Sequence, residues 1–142
     1  MDNYSDGVCG SGHNLNKNIP QGNATYDAAT ANMGSRWKMF TQAQGDELIN
    51  GTNHIWTTIN GVNGMKFTSK TDSTKYIFLP AAGEFGGTMN ASTEEYGFYW
   101  TTTIDLSFSP PIAFRMQLHS TSEYTGVSSS SRHYGGSIRP VK

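Results

Sequence analysis

At 142 residues the chain has the length of one domain able to bury a core, and its formal net charge of −1, with 15% of residues charged, leaves no basic footprint for nucleic acid and no acidic tail. Apolar residues make up 35% and aromatic ones 12%, so the core is expected to be small and dominated by rings, and 16 glycines predict many turns. One cysteine, Cys9, excludes an internal disulfide and a thiolate metal cluster built from this chain alone, and no apolar run is long enough for a membrane-crossing helix, so no membrane insertion is expected.

Residues 1–24 are rich in Gly, Asn and Ser and read as an irregular arm or linker; residues 25–142 read as the folded domain. Met1 is not followed by a basic block and an apolar one, so no signal peptide is read; a cytoplasmic start and a domain cut from a longer surface or virion protein both fit.

A first helix is expected over 26–33, with alanines at 28, 29 and 31, Thr25 or Asp27 as N-cap, and Gly34 where it stops. Thr41-Gln42-Ala43-Gln44 has the spacing of a capping box and opens a second helix that Asn50-Gly51 ends and Gly45 weakens. Beyond Ile55 the period becomes alternating. Trp56-Thr57-Thr58-Ile59 and Met65-Lys66-Phe67-Thr68 flank two Asn-Gly pairs, at 60–61 and 63–64, and predict a hairpin. Tyr76-Ile77-Phe78-Leu79 reads as a buried strand closed by Pro80, and 81–95 as a long polar loop. Phe98-Tyr99-Trp100 and the stretch 114–119 follow as strands. The chain closes on a strand over 137–141, whose Pro140 implies an edge.

The four histidines, His13, His54, His119 and His133, have no metal-ligand spacing, although His119 and His133 could meet across neighbouring strands. Glu94 and Glu95 could form a calcium corner with Asp105, but a solvated loop is the better reading. The serines at 128–131 sit in no nucleophile elbow, and nothing organises a base beside them. Cys9 reads as a chance thiol. No catalytic residue, metal or cofactor is therefore expected. Trp37, Trp56 and Trp100 are expected to be mostly core, and Phe85, Phe108, Tyr124 and Tyr134 to be surface rings.

Six blocks carry a resemblance. They are Asp27-Ala28-Ala29 to Gly34, Ser35-Arg36-Trp37-Lys38-Met39-Phe40-Thr41, Trp56-Thr57-Thr58 with the Asn-Gly pairs, Ile77-Phe78-Leu79-Pro80-Ala81-Ala82-Gly83, Tyr96-Gly97-Phe98-Tyr99-Trp100-Thr101-Thr102, and Ser137-Ile138-Arg139-Pro140-Val141. In this order, over about residues 25–142, the chain resembles the Fibrobacter succinogenes major paralogous domain, within the C-type-lectin-like and formylglycine-generating-enzyme-like fold group. Two departures stand out: Met39-Phe40-Thr41 where the family has Leu/Met-Pro-Thr, and Gly45 where it has an apolar residue. The resemblance implies an α+β, C-type-lectin-like fold, with two helices packed on twisted antiparallel strands. It also implies a non-catalytic ligand-binding module on a bacterial cell surface or phage virion, recognising a protein or carbohydrate. The copper-holding cysteines of the enzyme branch and the calcium motifs of the lectins have no counterpart here. A diversity-generating-retroelement variable protein, diversified in its C-terminal region, fits the polar and aromatic outward positions. A formylglycine-generating-type enzyme and a structural or pilus-tip domain are the alternatives.

The alternation along 114–119 turns Phe114, Met116 and Leu118 inward and Arg115, Gln117 and His119 outward. Ser128, Ser130 and Arg132 share a parity on the next segment, which ends in His133 and Tyr134. If these segments pair antiparallel, the outward residues form one ligand-binding patch rimmed by Phe85 and Phe108.

Overall fold

The computed structural model describes residues 17–142. Cys9 and His13 lie outside the described residues. Helix α1 (Ala28–Met33) starts two residues later than expected because Asp27, not Thr25, is its cap. Strand β1 (Lys38–Met39) leads to α2 (Gln42–Gly51), whose capping box is complete: Thr41 Oγ1 accepts from Gln44 N at 3.2 Å and Gln44 Oε1 accepts from Thr41 N at 2.9 Å.

Strands β2 (Thr52–Ile59) and β3 (Val62–Ser69) form the expected hairpin, closed by Asn60-Gly61 alone with φ of 51° and 80°, the left-handed pair that a tight two-residue turn requires. The second pair is not a turn. Asn63 and Gly64 lie inside β3, and a Cβ on Gly64 would stand 2.3 Å from the Leu79 carbonyl oxygen, so close passage of β4 (Tyr76–Pro80) demands glycine there. Residues 81–95 are not simply a loop: β5 (Glu84–Gly86) and β6 (Met89–Ala91) pair antiparallel within them.

The long strands β7 (Tyr96–Asp105) and β8 (Ile112–His119) and the shorter β9 (Gly126–Ser130) build a three-stranded antiparallel sheet in chain order, as do β2, β3 and β4. Of the closing strand expected over 137–141, only Pro140–Val141 forms a strand, β10, which pairs with β1. Just before it, Ser137 bridges Tyr99 in parallel fashion, with Trp100 N donating to Ser137 O at 3.0 Å and Ser137 N to Phe98 O at 2.8 Å. The architecture is thus mixed α+β, mostly antiparallel, with two helices.

Phe40, Met65, Phe67, Leu79, Tyr99, Met116 and Leu118 form the core, where the β3–β4 face meets the inner face of β7–β8 and α2 contributes Leu48 and Ile49. Burying each large apolar side chain stabilises by about 1.5–3 kcal/mol. The three tryptophans are not part of it: Trp37, Trp56 and Trp100 are all half-buried, with Trp56 packed against its margin. The described part of the arm is irregular yet attached, since Ile19 N donates to Thr102 O at 2.8 Å and Gln21 Nε2 to Met39 O at 2.6 Å. Among the described residues no helix is long and apolar enough to cross a membrane.

Candidate ligand-binding face

Strand register fixes which side chains share the outer face of the β7–β8–β9 sheet. Tyr96 pairs with His119, Phe98 with Gln117 and Trp100 with Arg115; Arg115 in turn pairs with Ser128, and Ala113 with Ser130. Opposite residues point the same way. Arg115, Gln117, His119, Ser128 and Ser130, the predicted residues on strands, therefore do lie on one face. So do the three alternating rings Tyr96, Phe98 and Trp100, the last of them expected to be core.

Arg115, expected to point outward, is largely covered. It is 9% exposed, less than inward-pointing Phe114, and its guanidinium carbon sits 4.1 Å from the centre of the Phe98 ring, 5.7 Å from that of Trp100 and 5.9 Å from that of Tyr134. Its Nη1 donates to Glu84 Oε2 from β5, while Nε has no hydrogen-bond partner among the described residues. A cation enclosed by rings and a carboxylate is an anchor for the segments around it. The β5 segment is fixed from both ends: Gly83 N donates to Tyr96 O at 2.8 Å, and Phe85 and Gly135 exchange backbone hydrogen bonds of 2.7 and 2.8 Å. Trp100 Nε1 donates to Tyr134 O at 3.2 Å, tying the 134–136 stretch over the same face.

The far end of the face is more open. The His119 ring lies 4.2 Å from Tyr96 and 5.4 Å, edge-on, from Tyr124; Tyr96 stacks on Phe98 at 5.5 Å. His119 Nδ1 accepts from Thr121 N at 3.0 Å and its backbone N donates to Thr125 Oγ1 at 3.2 Å, which folds the 120–125 turn back against the strand end. Between that turn and the β8–β9 pair is a cleft of about 310 Å³, lined by Gln117, Glu123, Tyr124, Thr125, Gly126 and Ser128 among others. A larger groove of about 540 Å³ runs between α2 and β10, but its walls, including Phe40, Leu79, Met116 and Val141, are the outer side of the core, and none of the predicted site residues lines it.

The remaining predicted residues divide. Tyr134 is half-buried beside Arg115 and carries the His133 ring at 4.2 Å, so His119 and His133 each pack on a tyrosine rather than on one another. Phe85 is half-exposed where β5 meets Gly135, on the rim as expected. Phe108 is exposed in the turn joining Asp105 to Ile112, at the opposite end of the sheet from His119. Arg132 is half-buried and lies beyond the end of β9, so the parity inferred for it does not carry over. The sequence reading missed Glu84 and Glu123; no spacing pointed to the former, whereas Tyr124, beside the latter, had been singled out as a surface ring.

Among the described residues no three His, Cys, Asp or Glu side chains converge as a metal group would need. Asp105, offered as part of a calcium corner, instead accepts from Ser107 N at 3.0 Å and from Ser107 Oγ, bonds that hold its carboxyl below the usual range. Compared with known proteins, the chain matches no family model, no curated protein and no solved structure.

Proposed function

We propose that this chain is a non-catalytic ligand-binding module of C-type-lectin-like fold that offers the outer face of its β7–β8–β9 sheet to a protein or carbohydrate on another surface. The observation that carries the reading is the division of labour on that face. One end is locked by Arg115, Glu84, Trp100 and Tyr134, while the other presents Gln117, Ser128, Tyr124 and Glu123 around an open cleft. A rigid platform with adaptable polar groups and a few rings is the chemistry of a paratope. His119 Nδ1 engages a backbone amide rather than a nucleophile, which also favours binding over catalysis. Display on a bacterial cell surface or phage virion, and diversification of the outward positions by a retroelement, extend the same reading.

The test compares the chain with a Gln117→Ala, Ser128→Ala, Ser130→Ala, Tyr124→Ala variant on glycan arrays and on intact bacterial cells. The expected result is binding by the parent and its loss in a variant that melts close to the parent. Equal binding by both would move the site off this face. Sequencing the coding region across a population tests diversification: variation should fall on codons for outward residues and spare Tyr99, Met116 and Leu118.

A further inference from the structure

We infer that the cleft beside Tyr124 seats an arginine side chain of a protein partner, an inference that rests on the reading of this face as a binding surface. The cleft is shallow and at the small end of ligand-site volumes, about 310 Å³, which suits one side chain rather than a drug-sized molecule. Glu123 lines it, is exposed, and forms no ion pair among the described residues. Next to it Tyr124 is 57% exposed, its ring 5.4 Å from that of His119 in a T-shaped arrangement. Gln117 and Ser128 complete the lining, and neither lysine nor arginine takes part in it. These residues supply a carboxylate, an exposed ring, an amide oxygen and a hydroxyl, and the group that answers all of them is a planar cation with several donors.

The same sheet face already shows this chemistry satisfied. Two residues before Gln117 on β8, the Arg115 guanidinium lies over Phe98 and pairs with Glu84. The cleft repeats ring and carboxylate with the guanidinium missing. Arginine is favoured over lysine because a planar fork stacks on a ring while its edge donates to a carboxylate, which a point-like ammonium does less well. A sugar would use the ring and the amide, but would leave the unpaired carboxylate without a counter-charge.

The experiment is an NMR titration of the whole chain with N-acetyl-arginine amide, following the Gln117 side-chain amide and the Gly126 backbone amide, with N-acetyl-lysine amide and methyl glucoside as parallel probes. Expected are saturable shifts at both reporters with arginine, several-fold weaker binding of lysine, and about tenfold weaker arginine binding in Glu123→Gln, the loss of one charge-assisted contact. Tyr124→Ala should weaken it comparably. Both side chains are exposed, so both variants are expected to melt like the parent. Shifts with the glucoside and none with arginine, equal binding of lysine, or arginine binding unchanged in Glu123→Gln would each overturn the inference. Failure here with face-dependent binding to cells or glycans intact sinks only the arginine seat; arginine binding with no face-dependent recognition sinks the broader reading instead.

Discussion

Phe40 and Gly45 fit one another. A Cβ built on Gly45 would stand 3.1 Å from Phe40 Cε2 and 3.1 Å from Val127 Cγ2, so the Phe40 ring and the edge of β9 occupy the space that a side chain at 45 would need. The Phe40 ring, placed just before the helix, takes the room that a side chain at 45 within it would need. Gly45→Ala should therefore destabilise by about 1 kcal/mol despite a helix-propensity gain of similar size, and Gly45→Leu by about 3 kcal/mol. In a Phe40→Leu background the penalty of Gly45→Ala should shrink. Urea midpoints of the four proteins give the coupling; additive effects would mean that the two residues do not share the space.

The extent to which this packing was legible differs by residue. The capping box at Thr41 and Gln44 is a local signal, closed within four residues, and it reads directly. So does the period of two along β8, which places Gln117 and His119 on the outer face. What the period does not carry is how deeply an outward residue is covered. Arg115 is enclosed by Glu84, 31 residues earlier in sequence, and by Tyr134, 19 residues later, and no spacing rule links them. Gly64 misled for the same reason. Asn-Gly is a turn signal on local grounds, but the Leu79 carbonyl that excludes a side chain comes from another strand. Strands of three residues, such as β5 and β6, are too short to show alternation at all.

Asp27 is a second point where local and distant contacts meet. It is fully buried, and its carboxylate accepts from Ala29 N, Thr30 N, Met39 N and Gly22 N at 3.0–3.2 Å, joining the cap of α1 to β1 and the arm. Burial alone would push this carboxyl up, but the amide donors of Gly22, Thr30 and Met39 outweigh it and the net shift is downward from the ordinary 3.8. A lowered folded pKa contributes stability that is complete above the unfolded value and is lost as pH falls through the folded one. Asp27→Asn, which turns an acceptor into a donor facing amides, should cost about 2–3 kcal/mol near neutrality. The gap between parent and variant should narrow as urea midpoints are followed from about pH 7 to about pH 2. A constant gap would mean that the carboxylate charge is not what binds these amides.

At the other end of the pH scale, Tyr99 provides the signal. Its hydroxyl donates to Pro80 O at 2.7 Å from within the core, and burial pushes its pKa from 10.0 up to about 12, partly opposed by Arg139. The raised folded value contributes stability that is present below the unfolded pKa and lost as pH rises toward and through the folded one. Tyr99→Phe should cost about 1 kcal/mol at neutral pH for the lost hydrogen bond, and should remove this residue's share of the alkaline decline above about pH 10. Parallel urea series for the two proteins across that range are the check. An equally steep decline in the phenylalanine variant would assign it to other groups.

Arg115 and Glu84 make the most consequential prediction, because they separate support from contact on the outer face. With side-chain exposures of 11% and 18%, the pair is largely withdrawn from water, and removing one member leaves the other charge poorly solvated among rings. Breaking a fully buried pair costs about 3–5 kcal/mol; with the remaining exposure, Arg115→Ala or Glu84→Gln should each cost about 2–4 kcal/mol. Replacing both by leucine should return stability to within about 1–2 kcal/mol of the parent, since two apolar side chains of similar size leave no stranded charge. The β5 segment and the 134–136 stretch should loosen in the single variants, read as faster amide exchange at Phe85 and Gly135, whose mutual backbone bonds would otherwise protect them. Loss of ligand binding in Arg115→Ala then follows from a loosened platform, and the leucine pair, stable but without the charges, tells the two roles apart: binding retained there identifies Arg115 as a positioning residue, and binding lost there despite a firm platform would make its guanidinium a direct contact.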